Sequence, residues 1–298
     1  MKILLFGPNG QVGWELQRSL APLGEVLSLD RHSTHYCGDL SRPGQLAQTV
    51  LAYKPDFIVN AAAHTAVDRA ESECELAKVL NTDAPAALAK AAAQVGAWLV
   101  HYSTDYVFDG GGMHARQEDD GPGPLNVYGQ TKLNGEKAIV ASGCNYLIFR
   151  TSWVYAARGG NFAKTMLNLA QKRHKLTVIS DQHGAPTGAD LIADVTAHAM
   201  RRVLKSENLS FRGVYHLVAS GETTWHGYAS YVIEKAKVIR PDLRIMADEL
   251  VPVPSSDFPT PALRPLNSRL CTHKLQHAFG LVLPSWQHGV DRLLAEIL

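Results

Sequence analysis

A tyrosine and a lysine four residues apart, in Tyr128-Gly129-Gln130-Thr131-Lys132, are the side chains best suited to chemistry in this 298-residue chain. The run that follows, Leu133-Asn134-Gly135-Glu136-Lys137-Ala138, reads as helix, and positions i and i+4 share one helix face. Both polar heads can therefore enter one cleft. A phenol has a pKa of about 10 in water, too high to exchange protons readily near neutrality. A cation held close favours the phenolate and draws that value down. Tyr128 would then be a tuned acid/base with Lys132 as its partner. The same spacing also describes a half-buried aromatic and a solvated charge, so the pair takes its meaning from the elements that position it.

Those elements begin at once. Lys2-Ile3-Leu4-Leu5-Phe6 is a continuous apolar run, as expected of a buried parallel strand. Gly7-Pro8-Asn9-Gly10-Gln11-Val12-Gly13 follows, and then a helical stretch from Trp14 to Leu20. Strand, glycine turn and helix together form the setting of a dinucleotide fingerprint. The glycines let the backbone approach a pyrophosphate, and the helix N-terminus offers it free N–H groups. The spacing here is Gly-x-x-Gly-x-x-Gly. A second strand, Glu25-Val26-Leu27-Ser28-Leu29, ends at Asp30-Arg31. Asp30 suits a ribose 2′-hydroxyl, which favours NAD, and Arg31 suits the 2′-phosphate of NADP, so both cofactors are expected. Asp39 and Leu40 could line the adenine end, and Ser41 reads as the N-cap of a helix over 43–53.

The strand 56–60 leads into Ala61-Ala62-Ala63-His64-Thr65, where small residues let a ligand lie against the backbone. Asn81, ahead of a helix over 82–95, reads as its cap or as an anchor beside the active helix. The strand 97–102 continues into Ser103-Thr104-Asp105. Hydroxyls and an acid at the carboxyl end of a central strand lie over the crevice where open α/β sheets bind ligands. Another strand covers 145–149. Strands and helices alternate to about residue 150, which predicts an α/β fold, a Rossmann-type doubly wound parallel sheet. Beyond it the pattern loosens. Helices are expected over 161–173, 189–205, 224–237 and 286–298, strands over 176–180 and 213–218, a turn over 184–188 and a proline-rich connection over 252–265. Residues 1–155 should form the dinucleotide-binding domain, with later segments returning to it. Residues 156–298 should form mainly a smaller mixed α/β substrate lobe, with the cleft between the two.

Composition excludes several classes. The formal net charge is +1 and acids and bases are interspersed, so neither nucleic acid nor a membrane surface is an expected partner. Cys37, Cys74, Cys144 and Cys271 lack paired spacing and read as free thiols. The thirteen histidines show no HExxH pattern, which argues against a metal-dependent hydrolase. No signal segment or bilayer-length apolar run is present, and a cytoplasmic location is expected.

Gly7-x-x-Gly10-x-x-Gly13, Asn60-Ala61-Ala62-Ala63, Ser103-Thr104-Asp105 and Tyr128-x-x-x-Lys132, in that order, resemble an extended short-chain dehydrogenase/reductase over nearly the whole chain. Further runs look like those of the dTDP-4-dehydrorhamnose reductase family: 101–108, Pro124-Leu125-Asn126-Val127-Tyr128-Gly129, 149–155, Gly184-Ala185-Pro186-Thr187-Gly188 and Arg264-Pro265-x-Asn267-Ser268. The resemblance implies reduction of a 4-keto dTDP-sugar by NADPH or NADH in a bacterial envelope pathway, by a homodimer. It assigns Tyr128 as proton donor, Lys132 as the ribose ligand that lowers the Tyr128 pKa, and Thr104 as a hydrogen-bond partner of the substrate oxygen. Gly7, Gly10, Gln11, Val12 and Gly13 would surround the pyrophosphate. Asp30, Arg31, Asp39, Leu40, Ala63, His64, Thr65 and Tyr102 would line the cofactor, and Asp105 and Trp153 would face the sugar nucleotide. Related 4,6-dehydratases follow the threonine with Asp-Glu, the pair that eliminates water. Here Asp105-Tyr106 stands instead, which favours simple reduction. Some family members bind Mg²⁺ at a dimer contact, for which Glu15 and Asp190 are the candidates. The rival readings are an epimerase that retains its NAD and a nucleotide-sensing regulatory subunit, since fold alone does not fix function.

Overall fold

The computed structural model describes residues 1–205 and 211–298. Its first half contains β1 (Lys2–Phe6), α1 (Gln11–Leu20), β2 (Glu25–Leu29), α2 (Pro43–Tyr53), β3 (Phe57–Asn60), the short helices α3 (Val67–Ala70) and α4 (Cys74–Lys78), α5 (Ala84–Val95), β4 (Trp98–Thr104), α6 (Val127–Ala141) and β5 (Asn145–Thr151). Its second half contains β6 (Val154–Tyr155), α7 (Phe162–Ala170), β7 (Lys175–Ile179), β8 (His183–Gly184), β9 (Thr187–Gly188), α8 (Ala189–Leu204), β10 (Gly213–His216), β11 (Thr223–Thr224), α9 (Trp225–Ile239), β12 (Glu249–Val253), α10 (His273–Phe279) and α11 (Trp286–Ile297).

Six strands form one sheet in the order β10-β5-β4-β3-β1-β2, with every pair parallel. Its central strands have no polar face, so both sides need helices over them. Ile3, Leu5, Val59, Val100 and Phe149 pack with Leu16, Ile192 and Phe279 on one side. Leu4, Phe6, Ile58, Leu99 and Ile148 pack with Leu46, Leu88 and Ile139 on the other. This is the doubly wound sheet expected. β2 and β3 lie on opposite sides of β1, so the chain reverses its winding there. The carboxyl ends of β1 and β3 then flank a crevice, the usual ligand position in such sheets.

Three late segments join this layer: α8 packs against α1, β10 extends the sheet beside β5, and α10 packs on β10 and α8. The other late segments make three two-stranded sheets and the helices α7, α9 and α11, packed around Tyr228, Val232, Trp286 and Leu294.

The local structure differs from the sequence reading in four places. Ser41 does not cap α2. Its N–H and hydroxyl both donate to the Asp39 carboxylate, at 2.9 and 2.8 Å, and Arg42 takes the cap position. A side-chain turn has satisfied these groups locally. The proline-rich connection contains β12, which pairs with β7 alone, and Pro252 is tolerated in a strand without a second neighbour. The 184–188 turn carries β8 and β9, and α10 lies where no helix was expected. All four cysteines are unpaired. Among the described residues no helix is long and apolar enough to cross a membrane.

Candidate active site

The start of α6 is held by its flanks. The Asn126 side chain accepts from the Gly129 N–H at 2.8 Å and caps the helix. Gly129 lies against the 105–107 turn, where an added Cβ would come 2.1 Å from the Tyr106 carbonyl oxygen. No larger residue permits that approach. Tyr106 then packs edge-to-face on Tyr128, with ring centroids 5.5 Å apart. One turn further, Lys132 is buried, at 2% exposure. Its Nζ donates to the Tyr102 carbonyl at 2.5 Å and lies 3.1 Å from His101 Nε2.

Burial pushes the half-buried Tyr128 phenol up to about 12, with the Thr104 hydroxyl acting the other way and Asp105 adding to the rise. Thr104 is thus a neighbouring group that draws the phenol down. The Lys132 head is engaged with β4, and burial lowers its own pKa to about 8 against the pull of Glu136. A buried ammonium is the less favoured state of a lysine. Thr104 donates to Asp105 Oδ1 at 3.1 Å and accepts from the Tyr106 N–H at 3.2 Å. Asp105 is itself buried, which raises its carboxyl to about 6 against the hydroxyls of Ser268 and Thr104.

Asn81 is a clip and not a helix cap. It sits in a π-helical turn, Val79–Asp83, between α4 and α5. Its Oδ1 accepts from the His64 N–H at 2.9 Å, and its Nδ2 donates to the His64 carbonyl at 3.1 Å and to Thr131 Oγ1 at 3.2 Å. The end of β3 is thereby tied to α6 between Tyr128 and Lys132.

At the glycine turn, Gly7 has φ +81° and Gly13 lies under it, where an added Cβ would sit 1.9 Å from the Gly7 carbonyl oxygen. Gly10 is different. It precedes α1 without a side-chain cap, and an added Cβ would meet only that same oxygen, at 3.6 Å. The first turn of α1 carries no acid. Open space before uncapped N–H groups fits the diphosphate of a dinucleotide. Asn9 donates to Asp30 Oδ2 at 2.7 Å and so ties the turn to the end of β2. The His32 N–H, at 2.9 Å, holds Asp30 below the usual carboxylate range. Arg31 is exposed and, with Asp39 and Arg42, lines an adjoining cleft of about 440 Å³. Leu40 is buried beside it.

Other candidates point elsewhere. Gln11 donates to the Gly160 carbonyl at 2.8 Å, and Val12 packs into the core. The Tyr102 phenol crosses to α8, 2.8 Å from Thr196 Oγ1, leaving only its carbonyl toward Lys132. The His64 ring bonds Glu73 at 2.8 Å, so its backbone, with Ala63 and exposed Thr65, is what leaves β3 toward the crevice. Trp153 has φ +47° and stacks on Trp225 at 3.7 Å. Trp225 had no signal in the sequence, because nothing in spacing relates it to Trp153.

Glu15 and Asp190 line one cleft of about 250 Å³. Each lies beside an arginine, Glu15 with Arg18 at 3.3 Å and Asp190 with Arg292 at 3.4 Å. Among the described residues of a single chain no group of three or more His, Cys, Asp or Glu could hold a metal.

A doubly wound sheet with a glycine turn at β1 and a threonine, tyrosine and lysine around the end of β4 defines a nicotinamide-dependent oxidoreductase of Rossmann type. Comparison narrows the class. The model of the RmlD substrate binding domain matches residues 1–298. The dTDP-4-dehydrorhamnose reductase of Escherichia coli K12 is 58% identical over 297 residues, covering 100% of this chain and 98% of the relative. The crystal structure of a dTDP-4-dehydrorhamnose reductase from Clostridium acetobutylicum superposes with a TM-score of 0.88 at 34% identity, over 100% of this chain and 99% of the other. The enzyme from Bacillus anthracis, solved in complex with NADP, gives 0.86 at 32% identity over 99% of both chains. The chain belongs to the dTDP-4-dehydrorhamnose reductase family.

Proposed function

We propose that this protein reduces the C4 ketone of dTDP-4-dehydro-L-rhamnose to dTDP-L-rhamnose with hydride from NADPH or NADH, the last step of dTDP-L-rhamnose synthesis. The observation that carries this is the Tyr128 phenol, held neutral by burial beside the Thr104 hydroxyl. A ketone that receives hydride develops alkoxide charge and needs a proton. A neutral phenol can give one, and a hydroxyl can stabilise the charge as it forms. In this reading Gly7, Gly10, Gly13 and the start of α1 hold the diphosphate, and the bound nicotinamide supplies the hydride. Lys132 keeps donor capacity for the ribose. Asp105 and Trp153 face the sugar nucleotide. The exposed Arg31 and the tethered Asp30 support use of both cofactors. The division of the chain near residue 155 into cofactor and substrate lobes, a homodimeric state and a cytoplasmic location belong to the same reading.

The test is absorbance of NADPH with purified protein and enzymatically prepared dTDP-4-dehydro-L-rhamnose. Decay that requires the sugar nucleotide and yields dTDP-L-rhamnose is the expected result. Tight NADPH binding without consumption would favour the epimerase or the regulatory subunit.

A further inference from the structure

A buried polar chain connects the glycine turn to Lys132. Ala62 lies against Gly7, with only 2.8 Å between its Cβ and the position of an added Gly7 Cβ. The Ala62 N–H donates to Asn60 Oδ1 at 3.2 Å. That bond orients the Asn60 amide, so its NH₂ faces His101 Nδ1 at 3.2 Å. An amide NH₂ only donates, so Nδ1 must accept, and in a neutral ring the proton then sits on Nε2. Nε2 faces Lys132 Nζ at 3.1 Å. An ammonium also only donates, so Nε2–H and a charged Lys132 have no bond to make. A free amine does. It accepts from Nε2–H, donates to the Tyr102 carbonyl and retains one N–H for an incoming hydroxyl.

We propose that His101 is a positioning residue for Lys132: clamped by Asn60 with its proton on Nε2, it holds the lysine head against β4 and biases it toward the free amine in the cofactor-free protein. The proposal rests on the reading of Lys132 as part of the active centre. Burial at 1% exposure keeps His101 far below its ordinary range, so the ring stays neutral. Glu136, one helical turn on, opposes the bias, but its carboxylate is committed to Arg150 at 2.7 Å. The phenols of Tyr102 and Tyr128 are both raised by burial and bring no charge near neutrality. Asp105, the remaining acid of the centre, is bonded to Thr104.

Long-range ¹H–¹⁵N spectra of the full chain with ¹⁵N-labelled histidine test the tautomer, with His101→Gln assigning the signal. The expected result is a protonated Nε2, a bare Nδ1 and no titration through the ordinary range of a histidine. Asn60→Asp should move the proton to Nδ1, because a carboxylate there accepts. In His101→Leu, the limb of the kcat/KM profile for NADPH set by Lys132, which reports the cofactor-free enzyme, should move up by about one pH unit, with NADPH affinity within about threefold of wild type. His101→Gln, whose amide can still donate toward Nζ, should return the limb toward its original position. A merely structural role would lower kcat/KM equally at every pH. A proton on Nδ1 in the wild type, or an unmoved limb in His101→Leu, overturns the proposal. The spectra need no substrate, so they stand even if the proposed reaction is wrong. Should His101→Leu not fold, the wild-type and Asn60→Asp spectra still decide.

Discussion

The glycine turn and the Lys132 centre serve the same crevice in opposite ways. At the turn, function lies in what is missing. Gly13 has no room for a side chain, while Gly10 has room that nothing fills. At Lys132, function lies in what has been buried at a cost: an ammonium, a carboxyl at Asp105 and a phenol, each displaced from its ordinary pKa mainly by desolvation. Steric demands show in a sequence as glycines at fixed spacing. Desolvation arises only when distant segments close over a group.

Five substitutions sharpen or break this contrast. Tyr128→Phe has the largest expected effect, a loss of about 10²–10⁴-fold in turnover with NADPH affinity nearly unchanged, because only the proton donor is removed. Near-normal turnover would contradict the role given to the phenol. Within the glycine turn, two changes should separate. Gly10→Trp should fold with a melting temperature close to wild type yet bind NADPH at least about 100-fold more weakly, since it fills the space for the diphosphate. Gly13→Ala should lose stability outright, because its Cβ would overlap a backbone oxygen. Equal behaviour of the two in calorimetry and fluorescence titration would end the distinction.

Lys132→Met should abolish most turnover but stabilise the fold at pH 7. Burial lowers this lysine from 10.5 to about 8, so between those values the unfolded chain binds more protons than the folded one. The contribution to stability therefore rises with pH across that window, and the penalty is complete below pH 8. The gain in melting temperature should be a few degrees at pH 7 and shrink by pH 10. A loss at both pH values would mean that the lysine is a net stabiliser. Asp105→Asn carries the smallest effect. The Asp105 carboxyl protonates near pH 6, so the wild-type rate should fall below that pH while the variant profile stays flat, at a cost under about tenfold. Matching acid limbs would assign that limb to another group.

Much of this was legible in the sequence. Gly7, Gly10 and Gly13 follow an apolar strand, and Tyr128 and Lys132 sit at helical spacing. Both signals are local. The parts that were missed depend on distant contacts. Asn81 reads as a cap or as an anchor beside the active helix, and only the fold decides for the anchor: it meets Thr131 fifty positions away, from a π-helical turn that no short pattern announces. Lys132 suggests a cation beside Tyr128, but its head is taken by the Tyr102 carbonyl and His101, which alternation along β4 could have indicated. Glu15 and Asp190 share a cleft with Arg18 and Arg292, and no spacing relates these four. Trp225 reaches Trp153 only through the folding of the second lobe.

The most direct test of the central claim is the path of the hydride. Reduction of dTDP-4-dehydro-L-rhamnose with NADPH deuterated at the transferable position of the nicotinamide, followed by NMR of the product, reads it in one experiment. Deuterium at C4 of dTDP-L-rhamnose, one per NADPH oxidised, is the predicted result. A product without deuterium, or with it at another carbon, would contradict the account.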